Sequence, residues 1–174
     1  MVSKLSAVLN TTVTHSYKAP IPKGCTREAA IHLLHDHDFL LRCDKLLTQC
    51  TILSLDGEPL LPDNIKPNQV ADTKLYKIED LVDAVPAGLW GSNVESMGEY
   101  TDLREGVFIR VSSPLSVVAE TEWKVMNRNG DLEVGYESKI FCSRALVSLV
   151  KGRYNESLQE TLAMVIRKLA ESGN

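Results

Sequence analysis

The feature that most constrains the fold is a series of short connections between strand-like segments in the second half of the sequence. The turn signals are Pro86-Ala87-Gly88, Arg104-Glu105-Gly106, Ser113-Pro114 and Asn127-Arg128-Asn129-Gly130. Asn-Gly is a strong signal for a β-hairpin, and connections of this length are typical of antiparallel neighbours. We therefore expect an antiparallel meander of five strands, which cover Thr73–Ala84, Gly91–Leu103, Val107–Ser112, Val117–Asn127 and Leu132–Phe141.

The hydrophobic period changes to that of a helix after the last of these strands. From Cys142 to about Glu171 one apolar stripe recurs at helical spacing, and it consists of Val150, Tyr154, Leu158, Leu162, Val165 and Leu169. A long amphipathic helix needs an apolar surface to cover, and one face of the meander supplies it. The sequence therefore predicts a sheet that packs against the C-terminal helix.

The first part of the chain adds further elements before the meander. Residues from Leu5 to Tyr17 alternate as in a strand, Thr26 resembles the N-cap of a helical run, and Cys50–Leu55 is another plausible strand. We expect an α+β architecture with two short helices after strand 1 and an antiparallel sheet of about six to seven strands wrapped around the long C-terminal helix. The prediction is a single domain spanning residues 1–174.

Composition narrows the class of protein. A chain of 174 residues with 44% hydrophobic residues suits one domain with a sizeable core, and its net charge of −4 argues against a nucleic-acid binder. No run is long enough for a membrane span, and the polar N-terminal residues argue against a signal peptide. The four cysteines lack CxxC spacing, so we expect reduced thiols and a cytoplasmic location.

The most unusual local pattern is His35-Asp36-His37-Asp38, which lies within an otherwise apolar run. Histidine titrates near neutral pH, and a neighbouring carboxylate can fix its tautomer and raise its pKa. One interpretation is an acid/base site with His37 as the base, His35 as the alternate, and Asp36 or Asp38 in support. The other is a corner between two short helices that an aspartate caps. A metal site is disfavoured, because histidines two residues apart on a helix diverge.

Alternation along the last two strands predicts which side chains face inward. Trp123 and Tyr136 belong to the apolar-leaning faces, whereas Glu120 and Glu122 belong to the opposite face. If either glutamate faced inward instead, its buried carboxylate would be a candidate base.

Other candidate binding residues are less constrained. Arg110 could meet a carbonyl or carboxylate in a pocket, or pair across strands with Glu120 or Glu122. Trp90 begins a strand and suits the core or a cavity rim. The predicted substrate-binding residues are Trp90, Tyr136, Arg110, Trp123, Glu120 and Tyr154. We expect no cofactor and no metal.

Several motifs resemble those of a fungal family of largely unknown function in the START-like helix-grip superfamily. They extend over most of the chain, and the quoted stretches are Leu34–Phe39, Gly88–Ser92, Gly106–Val111, Pro114–Leu115, Glu120–Trp123, Cys142–Arg144 and Val150–Gly152. The resemblance implies a helix-grip fold with an internal apolar cavity for an apolar small molecule such as a polyketide or lipid. Some similar fungal proteins close a polyketide enol onto a thioester and release an α-pyrone.

Two functions follow from that resemblance. The first is a cofactor-free lactone cyclase in which the histidine–aspartate cluster moves protons. An acyl-carrier domain is then a candidate partner, because the basic residues Lys139, Arg144, Lys151 and Arg153 could contact its acidic surface; a solvated helix end explains them equally. The second is a non-catalytic carrier or sensor of an apolar molecule, since fold does not fix function.

Overall fold

The protein forms one antiparallel sheet around a long helix. The structure, a computed structural model, describes residues 10–81 and 93–172. Its seven strands lie in the order β1-β7-β6-β5-β4-β3-β2, and every neighbouring pair is antiparallel. The strands are β1 Asn10–Pro20, β2 Leu47–Leu53, β3 Lys74–Leu81, β4 Asn93–Leu103, β5 Gly106–Ser113, β6 Val117–Arg128 and β7 Asp131–Ser143.

Three α-helices complete the described chain: α1 at Arg27–Leu34, α2 at His37–Arg42 and α3 at Val147–Ser172. One-turn 3₁₀ helices lie at Lys66–Asn68 and Arg144–Leu146. Among the described residues, no helix is both long and apolar enough to cross a membrane. The element order confirms the predicted helix-grip fold, with two short helices after β1 and a long C-terminal helix.

The strand bounds differ from the sequence prediction mainly at the sheet edges. Strand β1 continues past Tyr17 because Pro20 still pairs with Glu133 of the long strand β7. Strand β2 begins at Leu47 rather than Cys50, just after a turn in which Asp44 accepts a hydrogen bond from the backbone N–H of Leu46 at 2.8 Å. The predicted strand residues 5–9, 82–84 and 91–92 lie outside the described residues.

The predicted hairpin at Asn129-Gly130 joins β6 and β7. Both residues have positive φ, at 55° and 96°, as the tight turn requires. The backbone N–H of Gly130 also donates to the side-chain oxygen of Asn127 at 3.1 Å. Glycine is needed there because most side chains disfavour this backbone region.

The core lies between the concave face of the sheet and the helices. Burial alternates along β6 and β7, so that Trp123 and Tyr136 point inward as predicted. Helix α3 closes the core with Leu162, Val165 and Leu169, each almost fully buried. The apolar stripe thus removes enough surface from water to hold the helix against the sheet.

A break at Asp36 separates the two short helices. Thr26 caps α1 by accepting a hydrogen bond from the N–H of Ala29 at 3.1 Å, as its position predicted. Asp36 caps α2 in the same way, accepting from the N–H of Phe39 at 3.0 Å. The backbone of this stretch is therefore the predicted corner between two short helices, capped by an aspartate. Each cap stabilises its helix by about 1 kcal/mol.

Candidate functional site

An apolar cavity of about 250 Å³ lies between the sheet and helix α3. Its walls come from α2, from the inward face of strands β2 to β6 and from the first half of α3. Apolar side chains on these elements supply most of the wall, and they include Leu40, Leu41, Ile78, Val94, Ile109, Trp123 and Leu158. Such a cavity suits an apolar molecule that a few polar groups orient.

Asp80 is the polar group that stands out on this wall. It follows Tyr76 and Ile78 on the inward face of β3, opposite Val94 of β4. Its Oδ1 is buried and has no hydrogen-bond partner among residues 10–81 and 93–172. Burial, with a smaller effect of nearby Asp44, raises the pKa of the Asp80 carboxyl to about 6. A carboxylate with a pKa near neutral is suited to general-base work.

Two other charged residues line the same cavity. Asp44 already accepts the hydrogen bond from the N–H of Leu46 and so has a local structural role. Arg153 reaches the cavity from α3 and is partly buried. No salt bridge joins Arg153 to Asp80 within the part of the chain that the structure describes. The Asp80 carboxyl therefore remains available to a ligand.

Three hydroxyl groups form a second polar feature of the wall. Ser96 of β4 and Ser113 of β5 are joined by a hydrogen bond between their Oγ atoms at 2.9 Å. The phenol of Tyr154 on α3 lies within hydrogen-bonding reach of Ser113. Burial raises the pKa of Tyr154 to about 12, so its phenol stays protonated at neutral pH. All three residues line the cavity.

The predicted His35-Asp36-His37-Asp38 cluster does not converge on this cavity. Asp36 is the helix cap, and exposed Asp38 pairs with Arg42 at 2.7 Å. His35 uses one ring nitrogen, Nε2, to contact the backbone oxygens of Leu103 and Gly106 at 3.0 and 2.9 Å. Because carbonyls only accept hydrogen bonds, that nitrogen carries the proton and ties α1 to the β4–β5 hairpin.

His37 is buried and has partners at both ring nitrogens. Its Nε2 donates to Oδ1 of Asp102 at 2.9 Å, and its Nδ1 accepts from the hydroxyl of Tyr76 at 3.1 Å. The expected support from Asp36 or Asp38 is wrong, since the partner carboxylate is Asp102, 65 residues away. Burial lowers the pKa of His37 more than Asp102 raises it, so the imidazole is neutral at neutral pH.

His37 also does not line the cavity. Its ring packs against Tyr100, with the ring centroids 5.1 Å apart, and Tyr100 forms part of the cavity wall. The imidazole therefore supports the wall from behind. Its two hydrogen bonds fix helix α2 to strands β3 and β4.

The predicted substrate-binding residues separate into four groups. Trp123 and Tyr154 line the cavity. Tyr136 is buried in the core, where its ring packs against that of Trp123 with centroids 5.0 Å apart. Arg110 and Glu120 pair with each other across the strands, as the alternative interpretation expected, and they lie on the face of the sheet opposite the cavity, outside the pocket. Trp90 lies outside the described residues.

The basic residues proposed to meet a carrier domain are also divided. Lys139, Arg144 and Lys151 are exposed, whereas Arg153 faces the cavity.

In the described ranges, no group of three or more histidine, cysteine, aspartate or glutamate side chains is arranged to hold a metal ion.

Sequence reasoning missed Asp80, Ser96 and Ser113. A signal for Asp80 was present, because Tyr76, Ile78 and Asp80 alternate on one face while Lys77 and Glu79 occupy the other. A carboxylate in phase with inward side chains indicates burial. No comparable local signal distinguishes the two serines from other serines in strands.

Solved structures confirm the fold. The Zhui aromatase/cyclase from Streptomyces sp. R1128 is 13% identical with a TM-score of 0.59, covering 92% of this chain and 96% of that chain. Norcoclaurine synthase from Thalictrum flavum is 10% identical with a TM-score of 0.57, covering 99% and 94%. One half of the di-domain aromatase/cyclase StfQ, from the steffimycin biosynthetic pathway, also matches, with 10% identity, a TM-score of 0.54 and 92% of this chain covered.

At these identities the likeness shows the helix-grip fold. The comparison with curated proteins gives no match. A family model described as "Domain of unknown function (DUF7053)" matches residues 10–171, nearly the whole described chain. The protein therefore belongs to the DUF7053 family and has the fold of the START-like helix-grip superfamily.

Proposed function

We propose that the protein is a cofactor-free cyclase that closes an enol oxygen of a polyketide chain onto a thioester carbonyl and releases an α-pyrone. The observation that carries the proposal is the Asp80 carboxyl, half-buried on the wall of an apolar cavity, whose Oδ1 has no protein partner among the described residues. The fold shared with aromatase/cyclases supports it. The fungal polyketide context and cytoplasmic location expected from the sequence are part of the same proposal.

The reaction needs only acid–base chemistry and acyl transfer. Asp80 takes the proton of the enol hydroxyl, and the enol oxygen attacks the thioester carbon to form a tetrahedral oxyanion. Collapse of that oxyanion re-forms the carbonyl and breaks the carbon–sulfur bond. The thiolate leaves with the proton that Asp80 held, so the carboxylate is regenerated and the pyrone ring is closed.

The cavity suits this reaction in polarity and in size. A substrate that fills the cavity displaces water from its apolar walls, which protects the thioester from hydrolysis and strengthens the hydrogen bonds of the few polar groups. A volume of about 250 Å³ lies below the roughly 300–1,000 Å³ typical of pockets for drug-sized ligands, which favours a short acyl chain. The thiol portion of the substrate then extends out of the cavity.

An acyl-carrier domain is the proposed donor of that thioester. An acyl-carrier domain would present an acidic surface, and exposed Arg144 and Lys151 lie in the 3₁₀ turn before α3 and near the start of α3. Arg153, which lies on a different face of α3 from Lys151, contributes to the cavity wall. These residues would guide the carrier without taking part in the chemistry.

In this proposal His37 has a positioning role instead of the predicted base role. Both of its ring nitrogens are engaged, with Asp102 and Tyr76, and Tyr100 lies between the imidazole and the cavity. Replacing His37 would therefore shift helix α2 and the Tyr100 wall. His35, Asp36 and Asp38 make structural contacts and take no part in the proposed chemistry.

The test uses a diketo acyl N-acetylcysteamine thioester as a soluble substrate. Pyrone formation by the protein should exceed the spontaneous rate, and Asp80→Asn should return it to that rate while the protein stays folded. Glu79→Gln is the matched control, since Glu79 is the adjacent carboxylate on the opposite face of β3, near Lys77. Full activity of folded Asp80→Asn would overturn the assignment of Asp80.

A carrier of apolar molecules is the second candidate, and the largely apolar wall favours it. A carrier would bind the thioester without accelerating ring closure. Removing the charge of Asp80 would then tighten the binding of apolar ligands, because their burial beside a carboxylate is costly. Calorimetric titration alongside the turnover assay separates the two functions.

A further inference from the structure

The three cavity hydroxyls come from different elements of the fold. Ser96 lies on β4, Ser113 ends β5, and Tyr154 projects from α3 across the cavity. The serine oxygens are 2.9 Å apart and Tyr154 is within reach of Ser113. We call these residues the hydroxyl chain. It joins the sheet to the helix at one end of the cavity.

The hydroxyl chain has one proton more than its internal hydrogen bonds use. Each hydroxyl carries a single proton, so three hydroxyls carry three. The Ser96–Ser113 hydrogen bond uses one, and a bond between Ser113 and Tyr154, which lie within reach of each other, would use another. The remaining proton belongs to a hydroxyl on the cavity wall, where it is available to an acceptor that enters the cavity. A ligand carbonyl oxygen in the cavity can be that acceptor.

The nearby Thr161 hydroxyl shows the contrast. It also lines the cavity from α3, but it donates to the backbone oxygen of Ser157 at 2.9 Å. Its proton is therefore already used within the helix. The hydroxyl chain differs from this residue in having a proton to spare.

The position of the chain relative to Asp80 defines what kind of ligand atom fits. Ser96 pairs with Ile78, and Asp80 pairs with Val94, so Ser96 and Asp80 are diagonal neighbours on adjacent strands. Such neighbours are about 7–8 Å apart. The hydroxyl chain and the Asp80 carboxyl therefore share one cavity wall, so a single ligand can contact both.

We propose that the hydroxyl chain Ser96–Ser113–Tyr154 binds the thioester carbonyl oxygen of the substrate and stabilises the oxyanion that forms there. This inference rests on the proposed function and names the group that opposes Asp80. The carboxylate receives the enol proton, and the chain uses its free O–H to donate a hydrogen bond to the oxygen at the carbon under attack. The hydroxyl proton stays on the chain during the step, and the hydrogen bond shortens as charge develops.

The chemistry of the donors agrees with this role. Burial keeps Tyr154 protonated far above neutral pH, so it donates a hydrogen bond without losing its proton. A donor in a dry cavity is worth more than in water, and losing one oxyanion donor typically costs about 100-fold or more in kcat. Arg153 adds positive charge to the same cavity wall.

The experiment measures carbonyl binding independently of turnover. The probes are a methyl ketone and the alkane of equal length, each titrated against wild type, Tyr154→Phe and Ser113→Ala. The wild type should prefer the ketone and lower its infrared carbonyl stretching frequency. Tyr154→Phe should lose about tenfold of that preference, keep its affinity for the alkane, and return the stretching frequency toward that of the ketone in an apolar solvent.

Thr161→Val is the matched control, because it removes a cavity hydroxyl whose proton is already used. It should retain the ketone preference and the frequency shift. With the thioester substrate, Tyr154→Phe should lower kcat by about 100-fold with a smaller change in KM. Chemical unfolding of each variant confirms that the fold persists, and Ser113→Ala provides an independent variant if Tyr154→Phe is unstable.

Failure of this inference differs from failure of the proposed function. A ketone preference that survives in both Tyr154→Phe and Ser113→Ala would overturn the role of the hydroxyl chain, even if the thioester is cyclised. A preference and frequency shift that disappear in these variants support the carbonyl subsite, even if the wild type leaves the thioester unchanged. In that case the proposed cyclisation fails while the binding site stands.

Discussion

Two carboxylates on neighbouring strands of the sheet have opposite environments. Asp80 of β3 and Asp102 of β4 both lie on the inward face. Asp102 accepts a hydrogen bond from the buried imidazole of His37 at 2.9 Å, whereas Asp80 Oδ1 has no partner among the described residues. The difference separates a carboxylate that holds the fold together from one that is free to act on a ligand.

The paired carboxylate is part of a structural network. Asp102 fixes the tautomer of His37, which in turn accepts from Tyr76 and packs on Tyr100. Through these contacts helix α2 is attached to two strands. In Asp80 no hydrogen bond to Oδ1 offsets the free energy lost when the carboxyl is buried. Proteins retain that kind of local instability mainly at functional sites.

The largest expected effect comes from breaking the hydrogen bond between Asp102 and His37. Asp102→Ala leaves the Nε2–H of His37 buried without an acceptor, and we expect a loss of about 3 kcal/mol in the free energy of unfolding. Asp102→Asn should lose less, because its amide oxygen still accepts the hydrogen bond. Urea unfolding measures both, and equal stability of the alanine variant and wild type would show that the pair contributes nothing.

Removing the charge of Asp80 should increase the free energy of unfolding, whereas removing Asp102 should decrease it. In the unfolded chain Asp80 loses its proton at the ordinary pKa of 3.8, and in the folded chain at about 6. The folded state therefore binds more protons between these values, and stability falls as pH rises through that window. A pKa raised from 3.8 to about 6 corresponds to about 3 kcal/mol.

Partial solvent access reduces this figure, so Asp80→Asn should stabilise the protein by about 2 kcal/mol at neutral pH. The gain should shrink as pH falls toward 4, where wild-type Asp80 is protonated. Asp44, Arg153 and Tyr154 share the cavity and remain unchanged in the variant. Unfolding curves across this pH range test the prediction, and an unchanged or lower stability at neutral pH would contradict the view that Asp80 is strained.

The imidazole of His37 makes stability fall as pH decreases, the opposite of the dependence expected from Asp80. Its pKa in the folded protein lies below the ordinary value of 6.5, chiefly because of burial. The unfolded chain therefore takes up this proton first, and stability is lost as pH falls below 6.5 toward the folded pKa. NMR titration of the His37 ring protons should give a midpoint below that of the same residue in urea-unfolded protein. A midpoint at or above it would refute the expected burial effect.

The sequence predicted the inward faces of the last strands because their alternation is clear. Trp123 and Tyr136 are apolar in phase with their neighbours, and Glu120 is out of phase. The same rule applied to β3 would have pointed to Asp80. An aspartate near the end of a strand is more often a turn residue, and this weakened the signal.

The partner of His37 could not be predicted from the local sequence. Asp36 and Asp38 flank it in the chain, but adjacent residues on a helix point in different directions. Asp102 reaches it only because β4 passes beneath α2, a contact across 65 residues. The hydroxyl chain depends in the same way on the strand register and on where α3 crosses the sheet.

The smallest effect is expected within the motif that first suggested catalysis. Asp36→Ala removes the N-cap of α2, whose carboxylate accepts from the N–H of Phe39 at 3.0 Å. The expected loss is about 1 kcal/mol in the free energy of unfolding, with cyclisation activity unchanged at temperatures where the variant is folded. Asp36→Ser should recover most of the stability, because serine also caps helices. A loss of activity in folded Asp36→Ala that Asp36→Ser does not recover would return a catalytic role to this aspartate and weaken the contrast between Asp80 and the structural carboxylates.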